Sequence, residues 1–227
     1  MTYELLIGDR SYSSWSLRGW LLFAKFDLPV EVVETRLYEP GFAEALKAFA
    51  PARTVPVMRL PEGGVVMDTL AIAETLAERH SESGFWPKDA NARGFARAIT
   101  AEMHSGFQAL RGDCPMNLRR SYAGFPARPE VRADLERIAL LWAQAKSLSD
   151  GSGPWLFGAY SVADVFFAPV ATRIATYQLP VDAAAQAYVA TALRDPALLA
   201  WRDLGLKQAP QAAYDMPYET IGWTGLA

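Results

Sequence analysis

The stretch RSYSSWSLRGWLLFAKF, Arg10 to Phe26, sets four serines and a tryptophan between a short apolar run and a helix with one apolar face. Leu17, Leu21, Leu22 and Phe26 recur at helical spacing, and Pro29 stops the segment. One serine at the entry reads as an N-cap, which stabilises a helix by about 1 kcal/mol. A cap needs one hydroxyl, and the cluster offers more. The same place presents free backbone N–H groups and the positive end of the helix dipole, which together favour an anion. Cap and anion site both remain open from these residues alone.

Outward from this stretch, Tyr3 to Gly8 reads as a buried strand and Glu31 to Arg36 as a second, β-branched one. Phe42, Leu46 and Phe49 predict a short helix ended near Pro51. The segments VPVMRL and VVM flank Pro61-Glu62-Gly63-Gly64, a hairpin signature. Thr69 to Arg79 is a helix with Leu70, Ile72, Ala73 and Leu76 on its apolar side. Residues 1–80 thus form an α/β unit, and the small and polar residues over 81–92 form a linker. Past the linker, over 93–227, the pattern predicts helices and no strand. One long helix runs from Asn91 to Arg111 and another from Pro129 to Ser147, with proline in its first turn. A third begins at Ser161, and two shorter ones follow, the last at Asp195-Pro196, before an aromatic tail. The expected fold is an α/β domain followed by an all-helical domain.

The chain has 227 residues, of which 51% are hydrophobic, enough for a substantial core. A net charge of −3 gives no electrostatic footprint for nucleic acid. No run approaches the roughly 20 apolar residues of a bilayer span, and the start lacks a secretory pattern. Cys114 stands alone, which excludes an internal disulfide. These features set the expectation of a cytoplasmic protein. His80 and His104 lie far apart without a carboxylate or cysteine cluster at ligand spacing, so no metal is expected.

Two further places carry chemistry. Pro56, between two valines at a strand edge, cannot donate to a sheet ladder. A cis Val55–Pro56 bond would turn the N–H and C=O of Val55 outward for an extended ligand. Asp68 and Thr69 open the third helix, either as a cap or as a receptor for a ligand's ammonium and carboxylate.

Ser13-Ser14-Trp15-Ser16-Leu17-Arg18, Val55-Pro56 before a hairpin, Asp68-Thr69 opening the next helix, and Ser161-Val162-Ala163-Asp164 as a capping box together resemble the cytosolic glutathione transferases. Within that family the first motif is similar to the serine-type, zeta-like Ser-Ser-x-Ser-x-Arg. The resemblance implies a thioredoxin-like first domain, an all-α second domain, glutathione as cosubstrate, and a homodimer. It implies that Ser13 faces the sulfur, with Ser14 the nearest competitor and Trp15 beside them. Val55 and Pro56 would meet the cysteinyl backbone, and Asp68 with Thr69 the γ-glutamyl end. Two departures stand out: Asp-Thr replaces the family's common Glu-Ser, and Trp15 replaces the cysteine usual in zeta-type sequences.

The electrophile would lie between the domains, against Met103, His104, Phe107, Gln108 and Arg111. Arg111, Arg119 and Arg120 either neutralise an anionic substrate or solvate a surface. The function implied is glutathione-dependent transfer or isomerisation on a small electrophile. Its rivals are a glutathione-dependent disulfide or peroxide reductase and a non-catalytic ligand-binding module of the same fold.

Overall fold

The computed structural model describes residues 2–226. β1 (Tyr3–Ile7) lies at the heart of a four-stranded sheet, parallel to β2 (Val30–Glu34) and antiparallel to β3 (Val57–Arg59), which pairs with β4 (Val65–Met67). Both faces of β1 are covered, which is why it reads as a continuous apolar run. Leu5 and Ile7 pack under α1 (Ser14–Ala24) and α3 (Thr69–Arg79), with Leu17, Leu21, Ile72 and Leu76. Leu6 points to the other face, against α2 (Gly41–Lys47) and Phe49, Val55 and Val57. This is a thioredoxin-like unit.

The helical part holds α4 (Ala90–Ser105), α5 (Gln108–Asp113), α6 (Pro129–Ser147), α7 (Val162–Thr176), α8 (Ala183–Leu193) and α9 (Pro196–Lys207). α7 runs through its centre, nearly all its residues buried. It starts on a closed box: the Asp164 carboxylate accepts from the Ser161 N–H (2.9 Å) and hydroxyl (3.0 Å), from Leu156 N–H (3.1 Å) and from the Tyr188 hydroxyl (3.2 Å).

Three sequence expectations need correction. The helix expected over Asn91–Arg111 is two helices, broken where Phe107 takes φ 55, in the left-handed region. Gly106 permits the break, since a Cβ there would lie 2.7 Å from the Glu102 carbonyl oxygen. The second domain is not free of strands: β5 (Ser121–Ala123) pairs antiparallel with β6 (Glu219–Ile221), tying the C-terminal segment to the helical core. α4 begins at Ala90, inside the expected linker. The elements otherwise follow the sequence pattern closely.

Candidate active site

The N-terminus of α1 faces the segment before β3 and the start of α3. The Val55–Pro56 bond is cis, as the sequence pattern predicts, and so is Ala50–Pro51, which it does not. Gly19 on α1 allows Pro56 to pack close: a Cβ there would stand 2.8 Å from the proline ring. Between these elements lies an open cleft of about 170 Å³, lined by Trp15, Thr54, Val55, Pro56, Asp68, Thr69 and His104. Among the described residues, no hydrogen bond takes the backbone N–H or C=O of Val55.

Ser13 is the N-cap of α1 and is buried. Its Oγ accepts from Ser16 N–H (3.2 Å) and donates to Ser16 Oγ (2.8 Å), which also accepts from Gly8 N–H (2.9 Å). Ser14 is half-buried, and its Oγ accepts from Arg173 Nη2 at 3.4 Å. No acidic residue occupies the first turn, and among the described residues nothing accepts from the Ser14 and Trp15 amides. The helix start therefore keeps its anion-binding capacity.

Asp68 caps α3 through Oδ1, which accepts from Leu70 N–H at 2.8 Å. Its backbone sits at φ 77, ψ 131, a region that costs a non-glycine residue about 1–3 kcal/mol. Such strain persists where the surroundings impose it, and here it directs Oδ2 toward the cleft, 3.1 Å from His104 Nε2. Thr69 is buried, and its Oγ1 has no partner among the described residues.

The residues expected around the electrophile divide. His104 lines the cleft. The Arg111 guanidinium sits 5.0 Å from the Trp15 ring centre and donates to Gly106 C=O at 3.1 Å. Met103 and Phe107 are packed into the core instead, because the chain break at Gly106 turns Phe107 away from the α4 face. Gln108 is exposed and donates to Ser105 C=O (2.9 Å), closing the end of α4. Arg119 donates to the carbonyls of Gly205 and Gln208 at the end of α9, and Arg120 pairs with Asp215, so neither belongs with Arg111.

Instead, Arg111 joins two arginines that the sequence reading left out of the substrate site, Arg18 and Arg173. Arg18 is buried, its guanidinium 4.3 Å from the Trp15 ring centre, and donates through Nε to Phe166 C=O at 3.0 Å. Burial, then the charges of Arg173 and Arg111, pull its pKa well below the usual guanidinium value, against the raising effect of Asp68. Burial lowers Arg173 to about 10, and burial also lowers Arg111. Three guanidinium groups crowd here, with Asp68 the acid that acts on Arg18, and the excess of positive charge makes the neighbourhood electropositive. The signal for Arg173 was a basic residue in the otherwise apolar run VFFAPVATRIAT; Thr54 lay beside the Val-Pro pair.

Cys114 is buried, and burial pushes its thiol up to about 12, so it supplies no thiolate near neutral pH. Among the described residues no group of three or more His, Cys, Asp or Glu side chains forms a metal site, and no helix is long and apolar enough to cross a membrane.

Residues 12–79 match the sequence model of the family described as glutathione S-transferase, N-terminal domain. A probable maleylacetoacetate isomerase of Caenorhabditis elegans is 34% identical over 117 residues, which are 51% of this chain and 53% of that protein. Maleylacetoacetate isomerase of Mus musculus is 30% identical over 105 residues, 45% of this chain and 47% of that protein. The chain spans about half the length of the curated relatives it matches. A crystal structure of maleylacetoacetate isomerase from Anaeromyxobacter dehalogenans 2CP-1, with glutathione bound in the active site, superposes with a TM-score of 0.64 at 26% identity, covering 92% of this chain and 98% of the other. A glutathione transferase homologue from Burkholderia, also with bound glutathione, shares the fold with a TM-score of 0.66 at 20% identity, over 92% and 100% of the two chains. The chain is thus similar to the cytosolic glutathione transferases, with maleylacetoacetate isomerases among its relatives.

Proposed function

We propose that this chain is a glutathione-dependent transferase or isomerase acting on a small, anionic electrophile. The observation that carries the reading is the cleft in which the open start of α1, the unpaired backbone groups of Val55 and the Asp68 carboxylate face one another. Glutathione fits it in pieces: the cysteinyl backbone along Val55, the γ-glutamyl ammonium on Asp68 and its carboxylate on Thr69, the sulfur at the α1 N-terminus.

Ser13 is the proposed sulfur contact. Ser16 holds its oxygen in place through an N–H and a hydroxyl. The Ser13 hydrogen turns from Ser16 Oγ to the sulfur by rotation alone, exchanging a neutral bond of about 1 kcal/mol for a charge-assisted one of about 1.5–3. Lowering a thiol pKa from about 8.5 to near 6.5 requires about 2.7 kcal/mol. The open helix start, which contributes about 0.3–1 kcal/mol, together with the net of about 0.5–2 kcal/mol from this exchange supplies about 0.8–3 kcal/mol toward that requirement. Arg173, whose Nη2 donates to Ser14 Oγ at 3.4 Å, adds positive charge beside the serine cluster.

The electrophile lies across Trp15, toward Arg111 and Arg173, where the excess of positive charge favours a carboxylate. A turnover panel of an aryl halide, a maleyl compound and hydroxyethyl disulfide, each with and without glutathione, tests the reading. Preference for the carboxylate-bearing maleyl compound is expected. Turnover of the disulfide alone would make the chain a reductase, and no turnover of any compound would leave a binding module. Exposed Met67 on β4 and Leu140 on α6 support a homodimer in solution, and sedimentation as a single 25 kDa species at micromolar concentration contradicts it.

A further inference from the structure

We propose that His104 is a positioning residue for Asp68 and sets the pH range over which the cleft accepts a ligand's primary ammonium. The inference rests on the glutathione reading above and adds a determinant to its γ-glutamyl end. The two oxygens of Asp68 differ: Oδ1 caps α3 by accepting from Leu70 N–H, and Oδ2 is the atom 3.1 Å from His104 Nε2. An ammonium that meets Oδ2 shares it with the imidazole.

The consequences differ with the charge of the ring. A neutral His104 donating from Nε2 fixes the carboxylate, leaves its negative charge intact and leaves a lone pair for the ligand. In that tautomer Nδ1 is bare, which suits its surroundings: it is buried and has no partner among the described residues. A protonated His104 forms an ion pair with Asp68, removing the charge that an ammonium needs, and carries an N–H at Nδ1 with no acceptor.

The groups around the ring reinforce this. From α3, Asp68 is its one acidic partner. From α1, Trp15 meets it edge-on at 5.1 Å, with the Arg18 guanidinium 4.3 Å from the Trp15 ring centre. From α5, Arg111 Nη1 reaches the His104 carbonyl oxygen at 3.4 Å, and from α7 the neutral Phe166 ring packs at 6.2 Å, with Arg173 further along the helix. A proton and the ligand's ammonium thus compete for one carboxylate, and by linkage ligand binding expels the proton.

Isothermal titration with S-methylglutathione, which has no thiol to ionise, reads this directly. In the wild-type protein, Kd is expected to rise about fivefold or more from about pH 8 to about pH 6, with a limiting slope of about tenfold per pH unit. His104→Gln keeps an uncharged donor at similar reach, so its Kd is expected to be flat across that range and within about twofold of wild type at the upper end. An S-methylglutathione analogue lacking the α-amino group is expected to bind the wild-type protein with no such slope. A pH-independent Kd for wild type overturns the inference. So does a slope that persists in His104→Gln, or one shared by the desamino analogue, and this last arm needs no variant to fold. Failure of wild type to bind S-methylglutathione at about pH 8 overturns the glutathione reading itself and this inference with it, which separates the two.

Discussion

α1 and α7 both begin on a serine, and the two starts are built for opposite ends. At α7 the donors are matched: Val162 N–H meets Phe85 C=O at 2.9 Å, and Asp164 gathers four donors inside the core. At α1 there is no acid in the first turn, and among the described residues nothing accepts from the Ser14 and Trp15 amides. A closed helix start contributes to folding. An open one leaves the same electrostatics available to a ligand. The serine is common to both, so the difference lies in what stands three residues on: Asp164 at α7, Ser16 at α1.

The largest effect expected from this contrast is on stability at α7. Asp164→Ala leaves several buried donors without an acceptor and is expected to lower unfolding free energy by about 3 kcal/mol or more. Urea denaturation measures it, and S-methylglutathione affinity of the protein that remains folded should be unchanged. A loss under about 1 kcal/mol would erase the difference between the two helix starts.

The same carboxyl gives a pH signature. Burial pushes Asp164 up to about 6 from an ordinary value of 3.8, against the bonds it accepts from Leu156, Ser161 and Tyr188. A raised acid favours the folded state fully below its unfolded value and loses that contribution as pH rises through the folded one. The group therefore contributes a stability increment, up to about 3 kcal/mol, that fades between about pH 4 and pH 6. Asp164→Asn should remove this increment, seen as a flatter stability profile across that window in thermal melts.

Asp68 sharpens the comparison from the binding side, since it caps a helix and faces the cleft at once. Asp68→Gly loses the cap at a cost of a few tenths of a kcal/mol and relieves strain of about 1–3 kcal/mol. Stability should hold or rise while glutathione Kd rises roughly ten- to hundredfold, through loss of a charge-assisted bond of about 1.5–3 kcal/mol. Lower stability with unchanged affinity would return Asp68 to the role of a plain cap.

Most of the scaffold was legible because each element of the first domain carries its own local signal: a run for β1, a 3.6 period for α1 and α3, Gly-Gly for the hairpin. β5 and β6 were not legible. Each has three residues, too few to alternate, and their pairing spans the second half of the chain. The break at Phe107 was hidden because both flanks are helical and the left-handed residue is a phenylalanine rather than a glycine. At the site, motif residues such as Trp15, Val55 and Asp68 announced themselves by position in sequence. Arg18 was legible as the end of its motif, but its place beside Arg173 was not, because their shared neighbourhood comes from α7 packing on α1, a contact that no local pattern encodes.

The central claim is that the α1 start, left open, lowers the pKa of a bound thiol with Ser13 as its hydroxyl donor. The direct measurement is an ultraviolet thiolate titration of bound glutathione in wild type, Ser13→Ala and Ser14→Ala. The account predicts that Ser13→Ala raises the bound thiol's pKa by about 0.4–1.5 units, since exchanging the Ser16 bond for a charge-assisted one nets about 0.5–2 kcal/mol, with little change in glutathione Kd. Ser14→Ala should leave the titration near that of wild type. A shift in Ser14→Ala alone would move the role by one residue, and an unchanged titration in both variants would contradict the claim for the serine hydroxyl and leave the helix start to act by itself.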